Sequence, residues 1–208
     1  MEKRRHIITK KQTDYLKSKA TFMKDLIDEI GEIESYYIVD PFSALCNSII
    51  YQSISFKAAT AIWNRFTDLV PLLNPSTLLG FSFDEVKDVG LSKSKTEYLF
   101  NIAEAFAEKS IRLDFNEMSN KEIEEELRSI KGIGPWTAEM FLIFCMNRPN
   151  VLSYGDIAIR RGLEFLLDLS NDITRDEFKK YTDMFSPYNT TASLYIWELT
   201  LRDKMKKK

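Results

Sequence analysis

The chain has 208 residues, of which 44% are hydrophobic and only 7 are Gly and 6 Pro, a composition typical of a compact globule and not of a disordered chain. Its 29 basic and 31 acidic residues give a formal net charge of -2, which excludes a global positive field that would attract nucleic acid. Any contact with a polyanion must therefore be local.

The few cysteines and histidines limit the chemistry that is open to this chain. Cys46 and Cys145 each lie in an apolar helical pattern, which indicates buried thiols in a reducing compartment. One His and two Cys cannot build an iron–sulfur cluster, or a zinc site without carboxylates, and they exclude a His-dependent catalytic triad unless His6 folds back. We expect no metal and no cofactor.

No apolar run reaches the roughly eighteen residues of a membrane span, and no signal-type segment stands out. We therefore expect no membrane association and an intracellular protein, cytoplasmic in a bacterium or nuclear in a eukaryote. Basic residues gather near both ends, where we interpret them as solvated tails.

Helical periodicity and capping residues predict three helices in the first part of the chain. Apolar spacing predicts one helix from Tyr15 to Ile30, ended by Gly31. Asp40 before Pro41 predicts the start of a second helix, which ends around 51–55. A third helix follows this turn, with an apolar face of Phe56, Ala59, Ile62, Trp63 and Phe66.

Later helix starts share one signature, a serine or threonine followed three residues on by glutamate, as in Ser82–Glu85, Ser119–Glu122 and Thr174–Glu177. Asp156 also precedes an apolar helical pattern and is predicted to cap it. No segment alternates with period two for long enough to indicate a sheet. The sequence therefore predicts an all-α protein.

The turn Lys131-Gly132-Ile133-Gly134-Pro135 joins two of these helices. The glycines permit close backbone approach, and Pro135 suits the first position of the helix that follows. Amide groups at such a helix start, with the positive end of the helix dipole behind them, form a site for one phosphate. The other interpretation is a simple corner between two helices.

The run from Leu127 to Ala138, followed by Gly155-Asp156, resembles the helix-hairpin-helix/GPD superfamily of DNA glycosylases, and most of all its 3-methyladenine DNA glycosylase II branch. Further similarity in 40–66 and 185–197 extends the resemblance to most of the chain from Asp40 onward. It implies two helical subdomains, residues 40–146 with the hairpin and residues 1–39 plus 147–208 with the catalytic aspartate. The active-site cleft is expected between them.

Asp156 matches the family's catalytic aspartate. A carboxylate stabilises the positive charge that develops on the sugar when an N-glycosidic bond breaks, and it can orient the attacking water. Bifunctional relatives carry a nucleophilic lysine at the position of Trp136, and Lys131 lies on the wrong side of the turn. The resemblance therefore implies a monofunctional enzyme. The other interpretation of Asp156 is a structural helix cap.

The resemblance also implies a pocket for the flipped base. Trp136 and Trp197 match family positions near that base, and Tyr154 is a further candidate. Each tryptophan can equally belong to an ordinary helix–helix core.

The resemblance further implies contacts that hold DNA: Gly132, Gly134, Thr137 and Lys131 at the hairpin, and Gln52 and Ser53 at a turn that enters the base stack. We assign the wedge to Gln52 because Ser53 is small, with helix capping as the other interpretation. The junction Gly90-Leu91-Ser92, with Lys93 and Lys95, also resembles the family, but its local signal favours a solvated cap with two surface lysines.

The implied partner is double-stranded DNA containing damaged bases, bound by a monomer. Excision of an alkylated purine of the 3-methyladenine type is the first hypothesis. The alternatives are a glycosylase for uracil, hypoxanthine or an oxidised purine, and a non-catalytic helix-hairpin-helix protein that only binds DNA.

Overall fold

The computed structural model describes residues 2–202, so the basic C-terminal tail lies outside the described residues. The chain divides into two compact units. Unit 1 comprises residues 1–4 and 37–146, and unit 2 comprises residues 5–36 and 147–208.

Unit 1 contains the helices of the middle of the chain. They are α3 (Pro41–Tyr51), α4 (Phe56–Leu69), α5 (Pro75–Leu79), α6 (Phe83–Lys87), α7 (Lys93–Ala107), α8 (Asn120–Arg128) and α9 (Pro135–Phe144). Helix α3 packs against α4, α7 and α9, and α8 packs against α9. The fully buried side chains between them include Leu45, Ile49, Phe66, Leu99, Ile123 and Phe141.

Unit 2 combines helices from both ends of the chain. They are α1 (Lys10–Lys19), α2 (Thr21–Ile30), α10 (Ile157–Leu166), α11 (Arg175–Phe185) and α12 (Asn189–Leu201). Helix α12 is at the centre of this unit, because it packs against α2, α10 and α11. All residues of α12 from Asn189 to Ile196 are buried. Because the helix is buried on almost every side, its sequence shows no single apolar stripe.

The prediction of an all-α protein is confirmed. The described residues contain, besides the helices, one pair of three-residue strands, β1 (Lys3–Arg5) and β2 (Tyr36–Ile38), which hydrogen-bond to each other. Three residues are too few to show a period-two pattern, so the sequence carried no signal for this pair.

Capping chemistry set most helix starts as predicted. Asp40 accepts a hydrogen bond from the Ser43 amide (2.8 Å), with Pro41 at the first helical position. The boxes at Ser82, Ser119 and Thr174 each form both of their reciprocal hydrogen bonds. The two residues of a capping pair are only three positions apart, so the pair can be recognised in the sequence.

Two helical predictions were wrong. The segment from Tyr15 to Ile30 is not one helix, because Ala20 adopts an extended conformation (φ -153°, ψ 134°) and separates α1 from α2. Alanine is a strong helix former, so only packing explains this break. Phe56 was placed on the apolar face of the third helix, but 62% of it is exposed at the first turn of α4.

Candidate active site

Asp156 caps α10 and is buried, with 8% of its surface exposed. Its Oδ1 atom accepts hydrogen bonds from the Ile159 amide (2.9 Å) and from the indole Nε1–H of Trp197 (3.1 Å). The backbone donor holds the carboxylate at the helix N-terminus, where the helix dipole favours a negative charge. The indole donor comes from 41 residues further along the chain and is not part of the cap.

Trp197 lies on α12 and is half-buried. Its ring nitrogen donates to the Asp156 carboxylate, which ties the orientation of the indole to that of the carboxylate. Both residues were predicted site residues, but the sequence carries no signal that they touch. The contact depends on the packing of α12 against α10, which no local pattern encodes.

The two glycines of the hairpin in unit 1 differ in backbone conformation and in surroundings. Gly132 has a φ of +105°, and a Cβ atom there would lie 2.2 Å from Cγ of Tyr98. Gly134 caps α9 with φ -94°, and a Cβ atom there would meet nothing within 4 Å. Gly132 is therefore required by the backbone and by the ring of Tyr98, whereas the space beside Gly134 is open to a ligand.

Helix α9 begins as predicted, with Pro135 in its first turn. The Ala138 amide donates to the Gly134 carbonyl (3.1 Å) and opens the helical hydrogen-bond series. By helix geometry, the amides before it have no acceptor inside the helix. This arrangement suits a phosphate beside Gly134.

Replacing Gly132 with alanine is expected to lower the free energy of unfolding by at least about 2 kcal/mol, because strained backbone and a steric clash add up. Gly134→Ala is the matched control, since neither its φ nor its surroundings oppose a Cβ atom. Urea denaturation of both variants measures the difference. Equal stability of the two would show that the hairpin does not hold the geometry described.

Gln52 links its own turn to the hairpin. Its side-chain Nε2 donates to Oγ1 of Thr137 (2.7 Å) and to the carbonyl of Gly132 (3.3 Å). Its backbone amide donates to the Ile49 carbonyl at the end of α3, so Gln52 is also the cap of that helix. Thr137 is buried, with its hydroxyl engaged by Gln52, which leaves its backbone amide as the group suited to a phosphate.

Lys95 does not behave as a surface lysine. Its Nζ donates to the carbonyls of Ile50 (2.8 Å) and Gln52 (2.7 Å), where α3 ends. Partial burial lowers the pKa of this ammonium group through desolvation. The prediction of a solvated cap therefore needs correction for Lys95: its cation compensates the negative end of the α3 dipole and fixes the turn after it.

Lys131 is exposed and forms an ion pair with Glu97 of α7. This hydrogen-bonded pair raises the pKa of Lys131 and lowers that of Glu97. Asn101, also on α7, donates to the Lys131 carbonyl (3.1 Å). Helix α7 thus fixes the first residue of the hairpin turn.

Two apolar side chains beside the Gln52–Ser53 turn were missed by sequence reasoning. Ile54 is 39% exposed and Phe56 is 62% exposed, although both belong to an otherwise apolar pattern. Ser53, between Gln52 and Ile54, has a positive φ of 53° and is exposed, as expected for the tip of a tight turn. The shortness of this turn could have indicated that Ile54 and Phe56 are exposed, because a short turn is not covered by a neighbouring helix.

Tyr154 precedes Asp156 by two residues in unit 2. Its hydroxyl donates to the Ile173 carbonyl (3.3 Å), and Phe178 contacts its ring edge-on with centroids 5.2 Å apart. The guanidinium carbons of Arg175 and Arg160 lie 4.5 Å and 5.3 Å from its ring centroid. Tyr154 therefore lies beside two cationic groups, whereas Trp197 contacts an anionic one.

The sequence pattern of the HhH-GPD superfamily of base excision DNA repair proteins matches residues 46–187, which is more than half of the chain. The match includes both the hairpin and Asp156. The chain belongs to the HhH-GPD superfamily.

Individual relatives agree with this assignment. DNA-3-methyladenine glycosylase 1 of Schizosaccharomyces pombe is 34% identical over 164 residues, covering 76% of this chain and 72% of the relative. A solved structure of the S. pombe 3-methyladenine DNA glycosylase in complex with abasic DNA superposes with a TM-score of 0.85 at 30% identity, covering 92% of this chain and 97% of that one. DNA-3-methyladenine glycosidase from Bacillus halodurans gives a TM-score of 0.76 at 30% identity, with 96% and 92% covered.

Both cysteines of this HhH-GPD protein are free thiols buried in unit 1. Burial raises the pKa of both thiols, that of Cys145 to about 12. They are therefore protonated at neutral pH and unreactive. Among residues 2–202, no group of three or more His, Cys, Asp or Glu side chains is arranged to hold a metal ion, and no helix is long and apolar enough to cross a membrane.

Proposed function

We propose that this HhH-GPD protein is a monofunctional DNA glycosylase that flips an alkylated purine of the 3-methyladenine type out of double-stranded DNA and hydrolyses its N-glycosidic bond. The observation that carries the proposal is the buried Asp156 carboxylate, held by a backbone amide and by the Trp197 indole. The similarity to 3-methyladenine DNA glycosylases supports the choice of lesion.

The chemistry follows from the charge of Asp156. As the bond between base and sugar breaks, positive charge develops on the sugar, and an anion fixed beside it lowers the barrier. Two N–H donors hold Oδ1 in place, so little reorganisation is needed as the charge forms. Water is the nucleophile, oriented or deprotonated by the same carboxylate.

Trp197 and Trp136 are the aromatic groups that we assign to the base pocket. An alkylated purine carries positive charge, which attracts the π face of an indole. Trp197 already contacts the catalytic carboxylate, and Trp136 is the second residue of α9, directly after the hairpin. We leave Tyr154 out of this pocket, because two guanidinium groups beside its ring would repel a cationic base.

The hairpin holds one DNA phosphate through amides beside Gly134 and Thr137. Lys131 adds a nearby positive charge, although Glu97 already balances most of it. Such a contact carries no sequence information, as suits an enzyme that must search undamaged DNA. We propose that the protein acts on DNA as an intracellular monomer.

Ile54 is a better candidate for the wedge than Gln52, whose amide is held by the hairpin. Apolar wedges enter the base stack and offset part of the few kcal/mol that unstacking costs. Ile54→Ala is therefore expected to slow excision from a fully paired duplex by about tenfold, and to slow it less when the lesion lies opposite a mismatched base.

The matched control for this prediction is Leu72→Ala, because Leu72 is also an exposed apolar residue of unit 1, at 75%, and lies outside the turn. Single-turnover excision rates on paired and mismatched duplexes provide the measurement. A defect of equal size on both duplexes would assign the wedge elsewhere and leave Gln52 as the remaining candidate.

The experiment that tests the proposed function is base release from duplexes that each contain one lesion. Purified protein is incubated with 3-methyladenine or 7-methylguanine, uracil, hypoxanthine or 8-oxoguanine substrates, and released bases are separated by chromatography. Release of the methylated purines is expected. Release of only another base would support the alternative glycosylase, and binding without release would support the non-catalytic alternative.

A further inference from the structure

Two arginines share one aromatic ring in unit 2. Arg175, the first residue of α11, and Arg160, the fourth residue of α10, place their guanidinium carbons 4.5 Å and 5.3 Å from the ring centroid of Tyr154. Both guanidinium groups therefore contact the same ring. Two positive charges beside one ring repel each other, and an anion bound near both would offset that repulsion.

Neither arginine forms an ion pair with a carboxylate within residues 2–202, unlike other cations of the same unit. Lys179 pairs with Asp183 (2.6 Å), and Arg202 pairs with Glu198 (2.5 Å). The Nε atom of Arg160 is buried and has no hydrogen-bond partner among the described residues. An unpaired buried donor costs free energy, which a bound acceptor would recover.

Two acidic side chains close in sequence to these arginines are already engaged. Glu164, one helical turn after Arg160, accepts a hydrogen bond from the Ile173 amide (2.9 Å). Glu177, two residues after Arg175, accepts from the amide and hydroxyl of Thr174 (2.9 Å and 2.7 Å). Glu164 and Glu177 thus accept from backbone amides, and neither forms an ion pair with Arg160 or Arg175.

The position of the pair relative to Asp156 suggests which anion it meets. Tyr154 is two residues before Asp156, and Arg160 is four residues after it, about 6 Å along the helix axis. In the proposed function, on which this step rests, Asp156 lies beside the sugar of the flipped nucleotide. That sugar is bonded to a phosphate on each side, so a phosphodiester group must pass within reach of a long side chain in this region.

We infer that Arg160 and Arg175, supported by the ring of Tyr154, form a phosphate-binding site for the DNA strand that carries the damaged nucleotide. Tyr154 is the positioning residue: it fixes the planar guanidinium groups by cation–π contact, and its own hydroxyl is anchored to the Ile173 carbonyl. The ligand is a phosphodiester group. The site complements the hairpin, which binds phosphate through amides and releases fewer counterions.

Salt dependence of binding to undamaged duplex DNA tests this inference without any need for excision. The Arg160→Gln/Arg175→Gln variant and the wild type are titrated with a fluorescent duplex at several salt concentrations. The slope of log affinity against log salt is expected to become shallower by about 0.9 for each phosphate that the variant no longer neutralises. At low salt, the affinity of the double variant for the duplex should fall by at least about threefold.

Lys179→Gln is the matched control, because it removes one positive charge from the same helix at a cation that is already paired with Asp183. It should leave the slope unchanged. Arg175→Lys keeps the charge and loses the planar stack, so it should keep a slope close to that of the wild type and lower the affinity. Melting temperatures of all variants report whether the fold is intact.

A wild-type slope in the double variant would overturn the inference, as would an equal change in Lys179→Gln. If the double variant does not fold, the exposed Arg175→Gln alone decides the question in the same titration. Because undamaged DNA is used, a changed slope stands even if no base is released. Failure of the proposed function is therefore distinguishable from failure of this site.

Discussion

Asp156→Asn should lose at least about a hundredfold in the rate of base excision while it keeps its fold and its DNA binding. The amide retains the shape of the side chain and loses the charge that opposes the developing cation. Its oxygen can still accept from the Ile159 amide and the Trp197 indole, so the cap of α10 persists. Single-turnover rates on a methylated duplex measure the effect.

A second substitution separates the charge from the cap. Asp156→Ala removes both, and removal of the cap should cost about 1 kcal/mol of stability. If Asn and Ala reduce excision alike but only Ala lowers the melting temperature, the charge carries the chemistry. Near-normal turnover of Asp156→Asn would reduce Asp156 to a structural cap and end the catalytic assignment.

Gly134→Asp should weaken binding to damaged and undamaged duplex alike by at least about tenfold. The side chain enters open space beside the start of α9, where the phosphate is expected, and two like charges about 4 Å apart repel by about 1 to 4 kcal/mol. Aspartate is a favoured N-cap residue, so the fold should be as stable as before or slightly more so.

Gly134→Asn is the matched control, since it has the same size and capping ability without the charge. Equilibrium titrations at matched ionic strength compare the two variants. Trp197→Ala should behave in the opposite way and affect excision more than binding to undamaged duplex. Normal binding by Gly134→Asp would mean that the hairpin is only a corner between helices.

Helix starts, the hairpin and the family resemblance were readable from the sequence because each depends on residues close together in the chain. Asp40 accepts a hydrogen bond from the amide three residues on, and Ser119 and Glu122 accept from each other's amides. The turn at Gly132 is recognisable because a positive φ favours glycine. These interactions form whenever the local helix forms.

The tertiary structure decided the contacts between distant segments. Gln52 meets Thr137 across 85 residues, and Lys95 meets the Gln52 carbonyl across 43, and neither pairing has a sequence signature. Packing also overrode local preference at Ala20, which breaks a helix that its own propensity favours.

The same division holds at the candidate site. The sequence named Asp156 and Trp197 separately, and only the packing of α10 against α12 joins the indole to the carboxylate. Tyr154 was named as a candidate for the base pocket, and only the tertiary structure places Arg160 and Arg175 beside its ring. The physical reason is that a side chain's chemistry belongs to the residue, whereas its partners are set by how the helices pack.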